Sequence, residues 1–162
     1  QVQGAEKGMS VIEILKNNLP VGKHVAIIGG GLTGCETAVD LASKGEKVTL
    51  IESAPQLMGN STHVPIMVSQ MLLDLLEKNN VNIRTDCTLT EVKDDGVIVC
   101  GVGSEFIPAE TVIYAAGMEP VESQLERELH GCGIAVYPVG SFVQAGNVYH
   151  AIHSGYEIAR NL

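Results

Sequence analysis

The feature that most narrows what this chain can fold into is the run from His24 to Gly34, HVAIIGGGLTG, where an apolar stretch opens into glycine. A continuous apolar run of this kind predicts a strand buried on both faces. Directly after it, Cys35, Ala38, Val39 and Ala42 stand at i, i+3, i+4 and i+7, the stripe of a core-facing helix. Gly45, following Lys44, sits where a C-terminal cap belongs. KVTLIE, residues 47 to 52, then predicts a second buried strand. Residues 24–52 therefore read as one β-α-β unit with its glycines at the first strand–helix turn.

Three consecutive glycines carry a large cost in backbone entropy, so the turn needs a reason. Gly29, Gly31 and Gly34 form G-x-G-x-x-G, and each has a distinct task. The first permits the tight turn and the second lets backbone approach a pyrophosphate. The third lets helix pack on strand, while the helix N-terminus offers free N–H groups to the phosphates. Glu52 ends the second strand, where a carboxylate can accept both ribose hydroxyls of an adenosine. A ligand-free turn beside a surface glutamate is the competing explanation, but the strand and helix flanks both match the dinucleotide pattern. Glu52 would also repel a 2′-phosphate, and ESAPQLM supplies no Arg or Lys to receive one. The expected cofactor is NADH rather than NADPH.

The rest of the chain extends an α/β reading: a Rossmann-like three-layer domain with a parallel sheet and a β-meander crossover. SVIEILKNN (10–18) predicts a short helix, broken by Pro20 and Gly22. Residues 62–79 predict a second long helix whose Val68, Met71, Leu72 and Leu75 face the core, with Pro65 tolerated in its first turn. VNIRT (81–85) reads as a third strand. TLTEV, GVIVC and EFIPA, separated by the turn signals KDDG and GVGS, predict an antiparallel meander. TVIYAAG (111–117) and IAVYPVG (134–140) read as further strands, and AIHSGYEIAR closes the chain as a helix.

Composition excludes several functions. Ten basic against nineteen acidic residues leave a net charge of −9, the wrong sign for non-specific nucleic-acid or anionic-membrane binding. No apolar run reaches the roughly 20 residues of a membrane span. Cys35, Cys87, Cys100 and Cys132 are too widely spaced for a zinc site or a dithiol pair, and reduced thiols suit a cytoplasmic protein. His150 and His153, two positions without a third ligand, do not predict a metal site. Asp94 and Asp95 read as a turn rather than an acid/base pair.

VAIIGGGLTGCETAVDLASKGEKVTLIE, the meander, ETVIYAAGMEP and AIHSGYEIARNL together resemble the C-terminal region of NADH:flavin oxidoreductases, the relatives of 2,4-dienoyl-CoA reductase and trimethylamine dehydrogenase. The likeness runs from about residue 9 to the end. It implies a glutathione-reductase type of fold with nested FAD and NAD(P) domains, preceded by a barrel carrying FMN and an iron–sulfur cluster. By position, the resemblance assigns Gly29, Gly30, Gly31, Leu32, Thr33 and Gly34 to the NADH pyrophosphate loop. Glu36 falls on the first helical turn near the nicotinamide and Glu52 at the ribose, and Ser53 is counted among the cofactor-binding residues. Ala115, Ala116 and Gly117 match a strand end where cofactor passes close to backbone. None is a proton-transfer group, so no catalytic side chain is expected.

Two departures shape the domain expectation. The family's FAD domain has its own G-x-G-x-x-G, which has no counterpart before residue 24. Ser141, in PVGS, stands where the family has an aspartate contacting flavin. Residues 21–117 are therefore expected to form the NAD(H)-binding domain, with 1–20 and 118–162 as remnants of a flavin domain. FAD is expected in the full-length protein rather than in this chain alone. The expected partners are NAD(H), the remainder of the parent flavoprotein, and a second copy through exposed remnant faces. A second reading is an NAD(H)-binding regulatory or sensor module without turnover. A self-sufficient short-chain dehydrogenase would need Tyr-x-x-x-Lys, and Tyr114, Tyr137, Tyr149 and Tyr156 all lack that lysine. A methyltransferase shares the glycine loop, but the meander and AAGMEP count against it.

Overall fold

The computed structural model describes residues 2–59, 64–120, 124–143 and 145–162. The chain divides into two compact units, Gln1–Gly117 and Met118–Leu162. In the first unit the elements follow as β1 (Met9–Ser10), α1 (Val11–Asn17), β2 (His24–Ile28), α2 (Leu32–Ser43), β3 (Lys47–Ile51), α3 (Ile66–Lys78), β4 (Asn82–Arg84), β5 (Thr88–Val92), β6 (Gly96–Cys100), β7 (Ser104–Pro108) and β8 (Thr111–Tyr114). Strands β1, β8, β2, β3 and β4 lie in that order in one sheet, every pairing parallel. The meander β5-β6-β7 makes a separate antiparallel sheet.

Alternation along β2 explains the layering. Val25 and Ile27 point to one face, where Leu50 and Ile113 join Val11 and Ile14 of α1, Cys35, Ala38 and Leu41 of α2, and Leu72 and Leu76 of α3. Ala26 points to the other face, against Ile51, Val112 and the meander residues Leu89, Val97, Val99 and Ile107. Both faces of a parallel sheet need apolar cover, which is why β2 and β3 read as unbroken apolar runs. Helices, parallel sheet and meander are thus the three layers of the expected Rossmann-like arrangement.

Within the first unit the structure departs from the sequence reading in three places. Met71 is half exposed, because α3 buries Leu72 and Leu76 and the stripe is rotated by one position. That helix starts at Ile66, with Pro65 as its N-cap; residues 62 and 63 lie outside the described residues. The head of the chain supplies β1, which pairs with β8 through Met9–Ile113 and Ser10–Tyr114. Two residues carry too little pattern to show as a strand.

In the second unit, α4 (Gln124–Gly131) forms where no element was read, and α5 (Val148–Arg160) begins earlier than expected, capped by Asn147. The segment 134–140 is not a strand. A strand exists as a ladder with a neighbour, and no described strand pairs with it. Among the described residues, no helix is long and apolar enough to cross a membrane.

Candidate functional site: the glycine turn and its cleft

β2 ends at Ile28, and the chain turns at once through Gly29, whose φ of +112° is open only to glycine at low strain. Its N–H donates to Ile51 O at 2.8 Å, tying the turn to β3. A Cβ here would also meet Ala115 O at 2.5 Å and Ala116 Cα at 2.9 Å. At Gly34 a Cβ would collide with Gly29 O, and at Gly30 it would collide with Leu57 and press on Glu52. Contacts inside the fold therefore explain these three glycines.

Gly31 is different. Its φ is −71° with an extended ψ, a conformation any residue adopts, and a Cβ on it would find nothing within 4 Å. Among the described residues nothing requires glycine at this position, and the backbone there is bare on the side of the open space.

The helix start beside it is prepared for anions. The first bond of α2 runs from Cys35 N–H to Gly31 O at 3.0 Å, so the Leu32, Thr33 and Gly34 N–H groups precede the intrahelical ladder. No side chain caps this end, and its first turn carries no acid. Free N–H groups and the helix dipole together favour phosphate.

Glu52 follows β3 at the same edge. Its Oε2 accepts from Gly30 N–H at 2.6 Å, and its Oε1 accepts from Ala54 N–H at 2.7 Å and Ser53 Oγ at 3.1 Å. The carboxylate is thus fixed in place by backbone and keeps lone pairs for a hydroxyl donor.

These groups border a cleft of about 630 Å³. It is lined by the expected residues Gly29, Gly31, Leu32, Thr33, Glu52, Ser53, Ala115, Ala116 and Gly117. Among the described residues, none that lines it is lysine or arginine. Gly30 lies off this cleft and borders a small cavity of about 40 Å³ shared with Gly31, Glu52 and Met58. Glu36 is exposed on the second turn of α2 rather than the first, and it does not line the cleft. Ser141 lies in a 3-10 turn, Gly140–Phe142, of the second unit.

Sequence reasoning missed Val2, Ile28, Ile51, Cys87, Thr88, Leu89 and Tyr114, which also line the cleft. Ile28, Ile51 and Tyr114 were within reach, since ligands in open α/β sheets sit at the carboxyl ends of the strands. Val2 and the start of β5 had no such signal. Tyr114 donates its phenol to Ala5 O at 2.8 Å, and burial, helped by Glu6, raises its pKa.

Cys35 lies under the turn with its Sγ 3.4 Å from Gly30 O, and burial, reinforced by Glu52 and Glu36, pushes its pKa up to about 12. It is a neutral packing thiol rather than a nucleophile. Among the described residues no group of three His, Cys, Asp or Glu could hold a metal ion. His150 instead contacts Asn147 Oδ1 at 2.9 Å, and the His153 ring lies 4.0 Å from that of Tyr149.

Residues 3–143 match the family described as pyridine nucleotide-disulphide oxidoreductase. The chain is 33% identical over 167 aligned residues to an NADH oxidase of Thermoanaerobacter brockii, covering 98% of this chain and 25% of that protein. It is 28% identical to a cinnamate reductase of Clostridium sporogenes, covering 99% of this chain and 24% of the relative. The 2-naphthoyl-CoA reductase structure superposes on the whole chain with a TM-score of 0.85 at 26% identity, using 25% of its own length. This chain therefore spans about a quarter of the length of these relatives.

Proposed function

Because the chain belongs to the pyridine nucleotide-disulphide oxidoreductase family, we propose that it is the NADH-binding module of a flavin-dependent oxidoreductase. Within the family, the reading is an NADH:flavin oxidoreductase akin to 2,4-dienoyl-CoA reductase and trimethylamine dehydrogenase. Alignment with an NADH oxidase and a cinnamate reductase over nearly the whole chain supports that narrower placement. The flavin is held mainly by parts of the parent protein other than this chain.

The observation that carries the proposal is the open space over Gly31, bordered by the uncapped start of α2 and by Glu52. Gly31, Leu32, Thr33 and Gly34 would hold the pyrophosphate through backbone N–H groups. Glu52, already oriented by Gly30 and Ala54, would accept the adenosine ribose hydroxyls. The small residues Ala115, Ala116 and Gly117 leave the far side of the cleft low enough for the cofactor to cross. NADH, when bound, supplies a hydride to the flavin, and the protein's contribution is position.

Calorimetric titration of the chain tests binding and cofactor choice together. NADH should bind at least ~10-fold tighter than NADPH, a gap of about 1.4 kcal/mol, since Glu52 faces the 2′-position with no basic neighbour in the cleft. Equal affinities would sink the assignment. In the full-length protein, NADH should bleach flavin absorbance in stopped flow. Binding without bleaching would make the module a sensor of NAD(H).

A further inference from the structure

Gly30 is gripped from both sides by the loop that follows β3. Its N–H donates to Glu52 Oε2, and its carbonyl accepts from Met58 N–H at 2.8 Å. Cys35 Sγ reaches the same carbonyl at 3.4 Å. Leu57 occupies the space that a Cβ on Gly30 would need. The Met58 bond comes from an unusual backbone. Met58 has φ +57°, a left-handed conformation that a long unbranched side chain rarely takes. Its side chain is meanwhile buried in the helix-side core. A residue is held in such a conformation only where its surroundings over-determine it, and such positions cluster at ligand sites.

We propose that Met58 is a positioning residue for dinucleotide binding: anchored in the core, it fixes the Gly30 peptide and so aims the Gly31–Gly34 N–H groups before ligand arrives. The effect on affinity rests on the reading of this turn as the pyrophosphate site. The clamp itself does not. A misplaced donor set is costly because the phosphate oxygens must meet several N–H groups at once. Fixing the Gly30 plane in advance removes that reorganisation from the binding step.

The test uses the full chain with three substitutions. Met58→Ala removes the core anchor, Met58→Leu keeps its volume, and Leu57→Ala uncovers Gly30 without touching the Met58 bond. NADH affinity is measured well below each melting temperature, and amide resonances of Gly30 to Gly34 are followed in the unliganded state. Met58→Ala should weaken NADH about tenfold or more and broaden those amides by slow exchange, with Met58→Leu restoring both. Leu57→Ala, which leaves the Met58 bond in place, should stay close to the unsubstituted chain in both readouts, and Met58→Gly, at ease with the left-handed backbone, replaces Met58→Ala if that variant does not fold. Adenosine, which lacks the pyrophosphate, should lose much less affinity than NADH.

A folded Met58→Ala with wild-type affinity and sharp turn amides would overturn the clamp. If unsubstituted chain bound no NADH, the functional reading would fall. The amide broadening would still decide the clamp by itself.

Discussion

Gly31 and Gly34 stand three positions apart in the sequence and differ in what they are for. A Cβ on Gly34 strikes Gly29 O, so Gly34→Ala must push α2 off the strand and should destabilise the fold by about 1–3 kcal/mol. A side chain on Gly31 meets only the cleft, so Gly31→Val should fold normally and lose NADH binding. Thermal melts paired with NADH titrations separate the two effects, and a folded Gly31→Val that binds normally would refute the ligand explanation. The G-x-G-x-x-G spacing was legible from sequence, and so was Glu52. That Gly30 is sterically required, and that Glu52 already serves as an acceptor for its N–H, was not. Those facts depend on Leu57 and Met58 folding back over the turn, and ESAPQLMGN carries no periodic pattern to announce it. Glu36, placed by resemblance on the first turn of the helix, stands exposed on the second turn of α2 and outside the residues lining the cleft, because α2 begins at Leu32.

Helix α2 is the element that joins core to site, and its own titration reports how well it is seated. Cys35 is fully buried on its inner face, beside Ala38 and Leu41. Its thiol ionises near the ordinary 9.0 in an unfolded chain and at about 12 when folded. The folded state therefore holds a proton that the unfolded state has released. This contribution to stability is full below pH 9.0 and declines as pH rises toward about 12. Comparing denaturant midpoints of wild type and Cys35→Ala across that range should show a shallower alkaline loss in the variant; parallel slopes would mean the thiol is solvated. The legibility of elements follows the same packing logic. β2, β3, β8 and the central meander strand β6 show in the sequence because residues on both of their faces are buried. Residues 134–140 are equally apolar yet pair with no described strand, since apolar character shows that a segment wants cover and not which neighbour provides it.

On the scale of the whole molecule, the two units differ in how they are stabilised. Gln1–Gly117 contains two buried clusters, one on each face of a five-stranded sheet. In Met118–Leu162 neither helix nor the 3-10 turn buries a single described residue. Leu125, Ile134, Phe142, Val148, Ile152 and Tyr156 are all more than half exposed there, and Val139 is 40% exposed. A segment this short cannot build a core of its own from such faces. Near the start of the chain, Ile12 and Leu15 are exposed on the outer side of α1, opposite the buried Val11 and Ile14. The relatives are about four times as long, and we propose that 118–162 is part of a flavin domain completed by other polypeptide, whereas the head, through β1, Val11 and Ile14, packs into the first unit. Uncovered apolar faces seek partners. The isolated chain should therefore self-associate with rising concentration in analytical ultracentrifugation, and truncation after Gly117 should reduce that association while sparing NADH binding. Both preparations should be colourless, because Ser141 brings no charge to a flavin and the one G-x-G-x-x-G in the sequence is the turn that we propose holds NADH. Stoichiometric FAD in the purified chain, or a full-length chain that stays monomeric at high concentration, would overturn the assignment of this segment.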